Sequence, residues 1–318
     1  MYGAKIRPVK SVQFRLLSSD EIRKKSVMEC LSTDSYKEST PVPHGTMSLI
    51  MGADQNHDCG TCGQSIKYCP GHPGRIELAK PCFNALMFDT VVKVLRCVCF
   101  RCSRLLYHPA HPDMVPVMRL HGQRRFEALM KLMSKSSVVK SRCGNANPHG
   151  CGALQPTRIT KQFVNDRFMR ISMDLTFDGV EGGSTKGDDD KTTETISMCA
   201  EDILMIFKRI QDDDIAAMGF HPKLSRPESM IIEVLLVPPP AIRPSHQSAL
   251  LQRSDSDLTN VISSIIKANN QVANRIRAGK VIEPNDLYVG LLQYHVATLM
   301  DNEMTGLTPA TQDRKSVV

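Results

Sequence analysis

No stretch of this 318-residue chain stays apolar for the roughly 18–20 residues that crossing a bilayer requires. Its opening residues, Met1-Tyr2-Gly3-Ala4-Lys5-Ile6-Arg7-Pro8, lack the continuous apolar centre of a secretory signal. The expectation is an intracellular protein with no membrane partner. Also missing are a P-loop, a G-x-S-x-G elbow and an H-E-x-x-H helix, so three common catalytic chemistries have no local signature. Apart from two cysteine clusters, no internal repeat is present. With 41% hydrophobic and 23% charged residues, 19 Gly and 19 Pro, the composition excludes a wholly disordered or collagen-like chain. The length suits one large domain or two to three small ones.

What the chain has is cysteine, eleven in all. Cytosolic thiol buffers keep cysteines reduced, so metal ligation explains this number better than a disulfide framework. It also has an uneven charge. Residues 1–160 carry 23 Lys and Arg against 11 Asp and Glu, while residues 161–318 carry 17 against 22. The basic half is therefore the half expected to face a polyanion such as nucleic acid, although charge alone is equally compatible with a solvated basic surface and nominates no individual DNA-contacting residue.

The sharpest motif is Cys59-Gly-Thr-Cys62, six residues, then Cys69-Pro-Gly-His72. Zinc takes four thiolate or imidazole ligands in a tetrahedron, and a C-x-x-C turn delivers two of them to one ion. A second set is Cys99-x-x-Cys102 with Cys143 and Cys151, for which Cys97 competes with Cys99; knuckle spacing favours Cys99, and strand alternation does not separate the two. Both sets are complete from protein ligands alone. That marks structural zinc rather than a hydrolytic centre with an open position. His108, His111 and His149 read as loop histidines, and Cys30, Cys82 and Cys199 as packing residues. Asp188–Asp190 and Asp212–Asp214 read as solvated charge rather than magnesium ligands.

Periodicity adds a coarse secondary structure. A short strand is predicted over Val9–Leu17, and a capped helix from Ser18 to about Val27. Loop is predicted over Thr33–Asp58, and an amphipathic helix over Arg124–Met133. Ile159–Phe177 has no clean period, and Gly179–Thr195 reads as a surface loop. A helix is predicted over Ala200–Arg209, and a strand over Met230–Val237 that leaves in extended form through Pro238-Pro239-Pro240. Two long helices, Leu258–Gly279 and Asp286–Met304, with a short link containing Pro284, suggest an antiparallel hairpin.

Taken in order, several motifs resemble one family. They include Cys59-Gly-Thr-Cys62, Cys69-Pro-Gly-His72-Pro-Gly74, Ile76-Glu-Leu-Ala-Lys-Pro81 and Cys97-Val-Cys99-Phe-Arg-Cys102. Cys151-Gly-Ala-Leu-Gln-Pro-Thr157, Gly219-Phe-His-Pro, Val237-Pro-Pro-Pro-Ala-Ile-Arg-Pro244 and Leu291-Leu-Gln-Tyr-His-Val-Ala-Thr298 continue the series. Together they resemble the N-terminal region of the largest subunit of eukaryotic, archaeal and large-DNA-virus multisubunit RNA polymerases.

The resemblance implies an α+β fold: an irregular zinc-stabilised clamp core and clamp head, with a long antiparallel helical hairpin near the C-terminus. The implied division is 1–95 clamp core with the first zinc site, 96–200 clamp head with the second, 201–257 return to the core and lid, 258–306 clamp coiled coil, and 307–318 a divergent tail. The first zinc site would be Cys59, Cys62, Cys69 and His72, the second Cys99, Cys102, Cys143 and Cys151. Implied partners are DNA and the RNA–DNA hybrid, other polymerase subunits including the second-largest, and initiation and elongation factors at the coiled coil. The location would be nuclear for a cellular eukaryotic protein, and virion or viral factory for a viral one. The activity implied is that of a nucleotidyltransferase, but the family's Asn-Ala-Asp-Phe-Asp-Gly-Asp run is absent from this sequence. Catalytic magnesium is thus expected only in a remainder of the subunit, and this chain is expected to be an inactive truncated or split piece. The rival from another class is a stand-alone zinc-binding protein that sequesters transcription factors.

Overall fold

The computed structural model describes residues 8–9, 12, 14–38, 40–135, 142–165, 168–178, 191–247, 253–281 and 286–310. Its helices are α1 (Ser19–Lys25), α2 (Phe88–Leu95), α3 (Val115–Met118), α4 (Gly122–Lys135), α5 (Ala200–Lys208), α6 (Asp212–Ala217), α7 (Asp257–Arg277) and α8 (Leu287–Met300). The strands are β1 (Tyr36–Lys37), β2 (Thr40–Pro41), β3 (Gly74–Phe83), β4 (Arg158–Val164), β5 (Phe168–Asp178), β6 (Lys191–Met198), β7 (Ile231–Val237), β8 (His246–Gln247) and β9 (Arg253–Ser254). The fold is mixed helix and sheet.

Helix α1 starts as its sequence dictates. Ser18 Oγ accepts the Glu21 N–H at 3.3 Å and Glu21 Oε2 accepts the Ser18 N–H at 3.1 Å, so two of the helix's unpartnered amides are satisfied reciprocally. The strand expected over Val9–Leu17 is not formed by the described residues there. No neighbouring strand offers them a ladder, Val9, Val12 and Phe14 lie exposed, and Arg15 ties the segment down through Glu21.

Strand β7 pairs antiparallel with β3, from Gly74↔Val237 to Glu77↔Val234, and the register then slips before resuming at Cys82↔Ile232. The slip leaves backbone groups of β3 unpaired, and helix α7 satisfies them. Asn269 Oδ1 accepts the Ala79 N–H at 2.7 Å while its Nδ2 donates to Glu77 O at 2.8 Å. After β7 the chain does not stay extended as expected. Pro240–Ile242 makes one 3-10 turn, drawn back by the buried Arg243, whose Nε donates to Pro238 O at 2.9 Å and whose Nη1 donates to Thr259 Oγ1 at 3.0 Å. Burial lowers the Arg243 pKa to about 10.

Strands β4, β5 and β6 form an antiparallel sheet with β5 central. Residues 159–177 show no clean period because β5 buries polar and apolar residues alike, Arg170 and Ser172 beside Met169, Ile171 and Met173. The loop expected over Gly179–Thr195 does not extend to residues 191–195, which belong to β6; residues 179–190 lie outside the described residues. Two apolar cores result. One gathers α2, α4, α5 and the three-stranded sheet, the other β3, β7, α7 and α8. Helix α8 lies between them, with Leu292 and Val296 in the second core and Ala297 in the first. Gly290 fits there because a Cβ would meet the Phe168 ring at 2.1 Å.

Candidate metal centres

Two short loops in different parts of the fold make the same turn. In the first, the Gly63 N–H donates to Cys59 O at 2.8 Å and the Cys59 N–H to Gln64 O at 2.9 Å. In the second, the Ser103 N–H donates to Cys99 O and the Cys99 N–H to Arg104 O, both at 2.9 Å. The residue after the second cysteine has positive φ in each, Gly63 at 67° and Ser103 at 60°. Such a turn directs two thiols to one point and aims backbone N–H groups at sulfur.

Each turn meets a second ligand pair. Cys69-Pro-Gly71-His72 closes on the first turn, with Gly71 at φ 81° and so tightly against Pro239 that a Cβ would lie 2.8 Å from its ring. Cys143 and Cys151 close on the second, held by the Gly152 N–H to Cys143 O at 2.9 Å and the Cys143 N–H to Ala153 O at 2.8 Å. The ligand atoms of Cys59, Cys62, Cys69 and His72 all lie within 4.8 Å of one another, and so do those of Cys99, Cys102, Cys143 and Cys151. All eight residues named from the sequence are brought together, four and four.

The separations fit a cation. Cys62 and Cys69 sulfurs are 3.7 Å apart, as are Cys99 and Cys151, and Cys102 and Cys143. A tetrahedron with Zn–S arms of about 2.3 Å has edges of about 3.8 Å, whereas a disulfide needs about 2.05 Å. His72 Nε2 is buried and, among the described residues, has no hydrogen-bond partner. An imidazole nitrogen so placed beside three thiols has the geometry of a ligand. The donor sets therefore fit zinc, and both groups could hold a metal ion.

Electrostatics sets two of these thiols, Cys69 and Cys151, apart from the other cysteines. Burial works against ionisation of Cys69, but the Gly71 and Ala53 N–H groups and the neighbouring sulfurs bring it below the ordinary thiol value. Cys151 is lowered in the same way against burial, through the Ala153 N–H and the other sulfurs. Burial pushes Cys143 up. Cys97, the competitor of Cys99, is pushed up by burial to about 12, and its sulfur donates instead to Lys93 O at 3.4 Å and contacts Met130 Sδ. It stands outside the ligand group. Cys30 and Cys82 are core thiols pushed up by burial to about 11 and about 12.

The family model of RNA polymerase Rpb1, domain 1, matches residues 6–318. This chain belongs to that family. It is thus part of the largest-subunit line of DNA-directed RNA polymerase, an enzyme that works with other polymerase subunits and nucleic acid. No described helix of this Rpb1 domain 1 chain is long and apolar enough to cross a membrane.

One partner of the second centre escaped the sequence reading. Gln155 is buried, and its Nε2 donates to Cys99 Sγ at 3.3 Å and to Ala153 O at 2.9 Å. Its position four residues after Cys151 was the available signal. Asp214, expected to be solvated, is also buried. It closes the loop beyond Cys102 by accepting the Leu105 N–H on Oδ2 at 3.2 Å, and burial raises its pKa. Asp188–Asp190 lie outside the described residues.

Proposed function

We propose that this chain is the clamp module of a DNA-directed RNA polymerase largest subunit, held rigid by two structural zinc ions. Cys59, Cys62, Cys69 and His72 hold one ion; Cys99, Cys102, Cys143 and Cys151 hold the other. The observation that carries this reading is the pairing of two closed four-ligand groups with a family match over residues 6–318. Neither group leaves a coordination position for water or substrate, so the ions serve loops that have too little core of their own.

In this reading, by the family resemblance, the chain divides into a clamp core and a clamp head, with the 238–259 segment as lid. Helices α7 and α8 form the clamp coiled coil, an antiparallel hairpin whose end receives initiation and elongation factors. An ion pair supports that arrangement: Arg275 Nη2, near the end of α7, lies 3.1 Å from Oδ2 of Asp286, the N-cap of α8. DNA and the RNA–DNA hybrid are retained by phosphate contacts of the basic half. The carboxylate run that would hold catalytic magnesium is absent from the sequence, so the chain alone is inactive in nucleotidyl transfer.

Copurification tests the reading. A tagged chain should recover a polymerase assembly that includes a large polypeptide carrying the magnesium motif. Recovery with transcription factors alone would overturn it in favour of a sequestering protein.

A further inference from the structure

A groove runs between α2 and α4. It consists of two adjoining cavities of about 250 and about 600 Å³, whose linings share Arg96 and Met130. The smaller has an apolar floor that includes Leu95, Leu106 and Met133, all buried. The larger is floored by Phe126 and Phe220, packed on each other with ring centroids 5.0 Å apart.

Around this floor the charge is one-sided. Lys93, Arg96, Lys131 and Arg158 are exposed along the two linings, and the one acid among the lining residues, Glu127, accepts from Gln123 Nε2 at 2.8 Å. Among the described residues none of these four cations has a carboxylate ion-pair partner. Gln155 also lines the smaller cavity and is 2% exposed.

An apolar floor and a cationic rim select a ligand with apolar side chains and carboxylates. An acidic peptide has both. The paired Phe126 and Phe220 rings are half-buried against each other rather than free for base stacking, which argues against single-stranded nucleic acid. We propose that the α2–α4 groove docks an acidic peptide segment of a partner protein. An apolar anchor enters the smaller cavity, and flanking carboxylates meet Lys93, Arg96, Lys131 and Arg158.

Selection of a displayed library of random 12-residue peptides on the full zinc-loaded chain tests this. The expected outcome is enrichment of acidic peptides with one or two apolar residues. By fluorescence anisotropy an enriched peptide should bind the Lys93→Glu/Lys131→Glu variant at least tenfold more weakly, and the Lys93→Arg/Lys131→Arg variant within about twofold of wild type. Both positions are exposed, so zinc content should be unchanged in each variant, which reports separately on the proposed metal centres. Failure to enrich any peptide, enrichment of neutral or basic peptides, or equal affinity for the charge-reversed variant would overturn the proposal. So would a 20-nucleotide single-stranded DNA that displaces the peptide and itself loses tenfold or more in the charge-reversed variant, which would make the groove a nucleic-acid surface.

Discussion

Gln293 closes the backbone of Phe83 from both sides. Its Oε1 accepts the Phe83 N–H at 2.7 Å and its Nε2 donates to Phe83 O at 3.1 Å, across 210 residues of sequence. With Asn269 treating Ala79 and Glu77 in the same way, α7 and α8 each contribute one amide to strand β3. Burying an amide and a carbonyl unpaired costs about 1–3 kcal/mol each. Gln293→Leu, which fills the space but bonds neither group, should therefore lower stability by roughly 2–6 kcal/mol. Urea unfolding at constant zinc checks this.

Neither amide contact could be read from the sequence. Gln293 stands in a run of apolar helical residues where a polar side chain looks like a surface position, and only the approach of β3 gives it a role. By contrast the two groups of sulfur ligands that could hold a metal ion were legible, because a four-residue turn brings two thiols together locally whatever the rest of the chain does. The helices α1, α4, α5, α7 and α8 were legible for a similar reason, with caps and 3.6-residue periods written in neighbouring residues. The β4–β5–β6 sheet was not. A central strand covered on both faces loses the alternation that identifies a half-buried one.

Gln155 couples the second centre to the α2–α4 groove, since its amide N–H meets Cys99 sulfur. Hydrogen bonds to ligand sulfurs stabilise thiolates, and removing an outer partner of this kind weakens metal binding about 10–100-fold. Gln155→Leu should release one zinc ion to a chelator faster than wild type while the other is released at the original rate. Equal release from both would deny Gln155 this role.

Asp214 gives a pH dependence of defined sign. Its folded pKa is raised above the ordinary value of 3.8 chiefly by burial, so its charged form costs stability at neutral pH. That cost is fully present above the folded pKa and disappears as pH falls toward 3.8. Asp214→Asn retains an acceptor for the Leu105 N–H without the charge. It should match or exceed wild-type stability at pH 7.5, and the difference should shrink in wild type's favour as pH is lowered toward 4.5. Asp214→Ala strands that N–H and should cost about 1–3 kcal/mol. Denaturant midpoints across this pH range measure both.

Zinc stoichiometry combined with zinc X-ray absorption on the purified chain tests the proposed metal centres most directly. The expected result is two zinc ions per chain, with seven sulfur ligands and one imidazole nitrogen shared between them at Zn–S distances of about 2.3 Å. Cys62→Ser should remove one ion and expose the 59–72 loop to protease, while Cys97→Ser keeps both. Fewer than two ions in the wild-type chain, oxygen-rich shells, or a Cys62→Ser variant with unchanged zinc and unchanged protease resistance would contradict it.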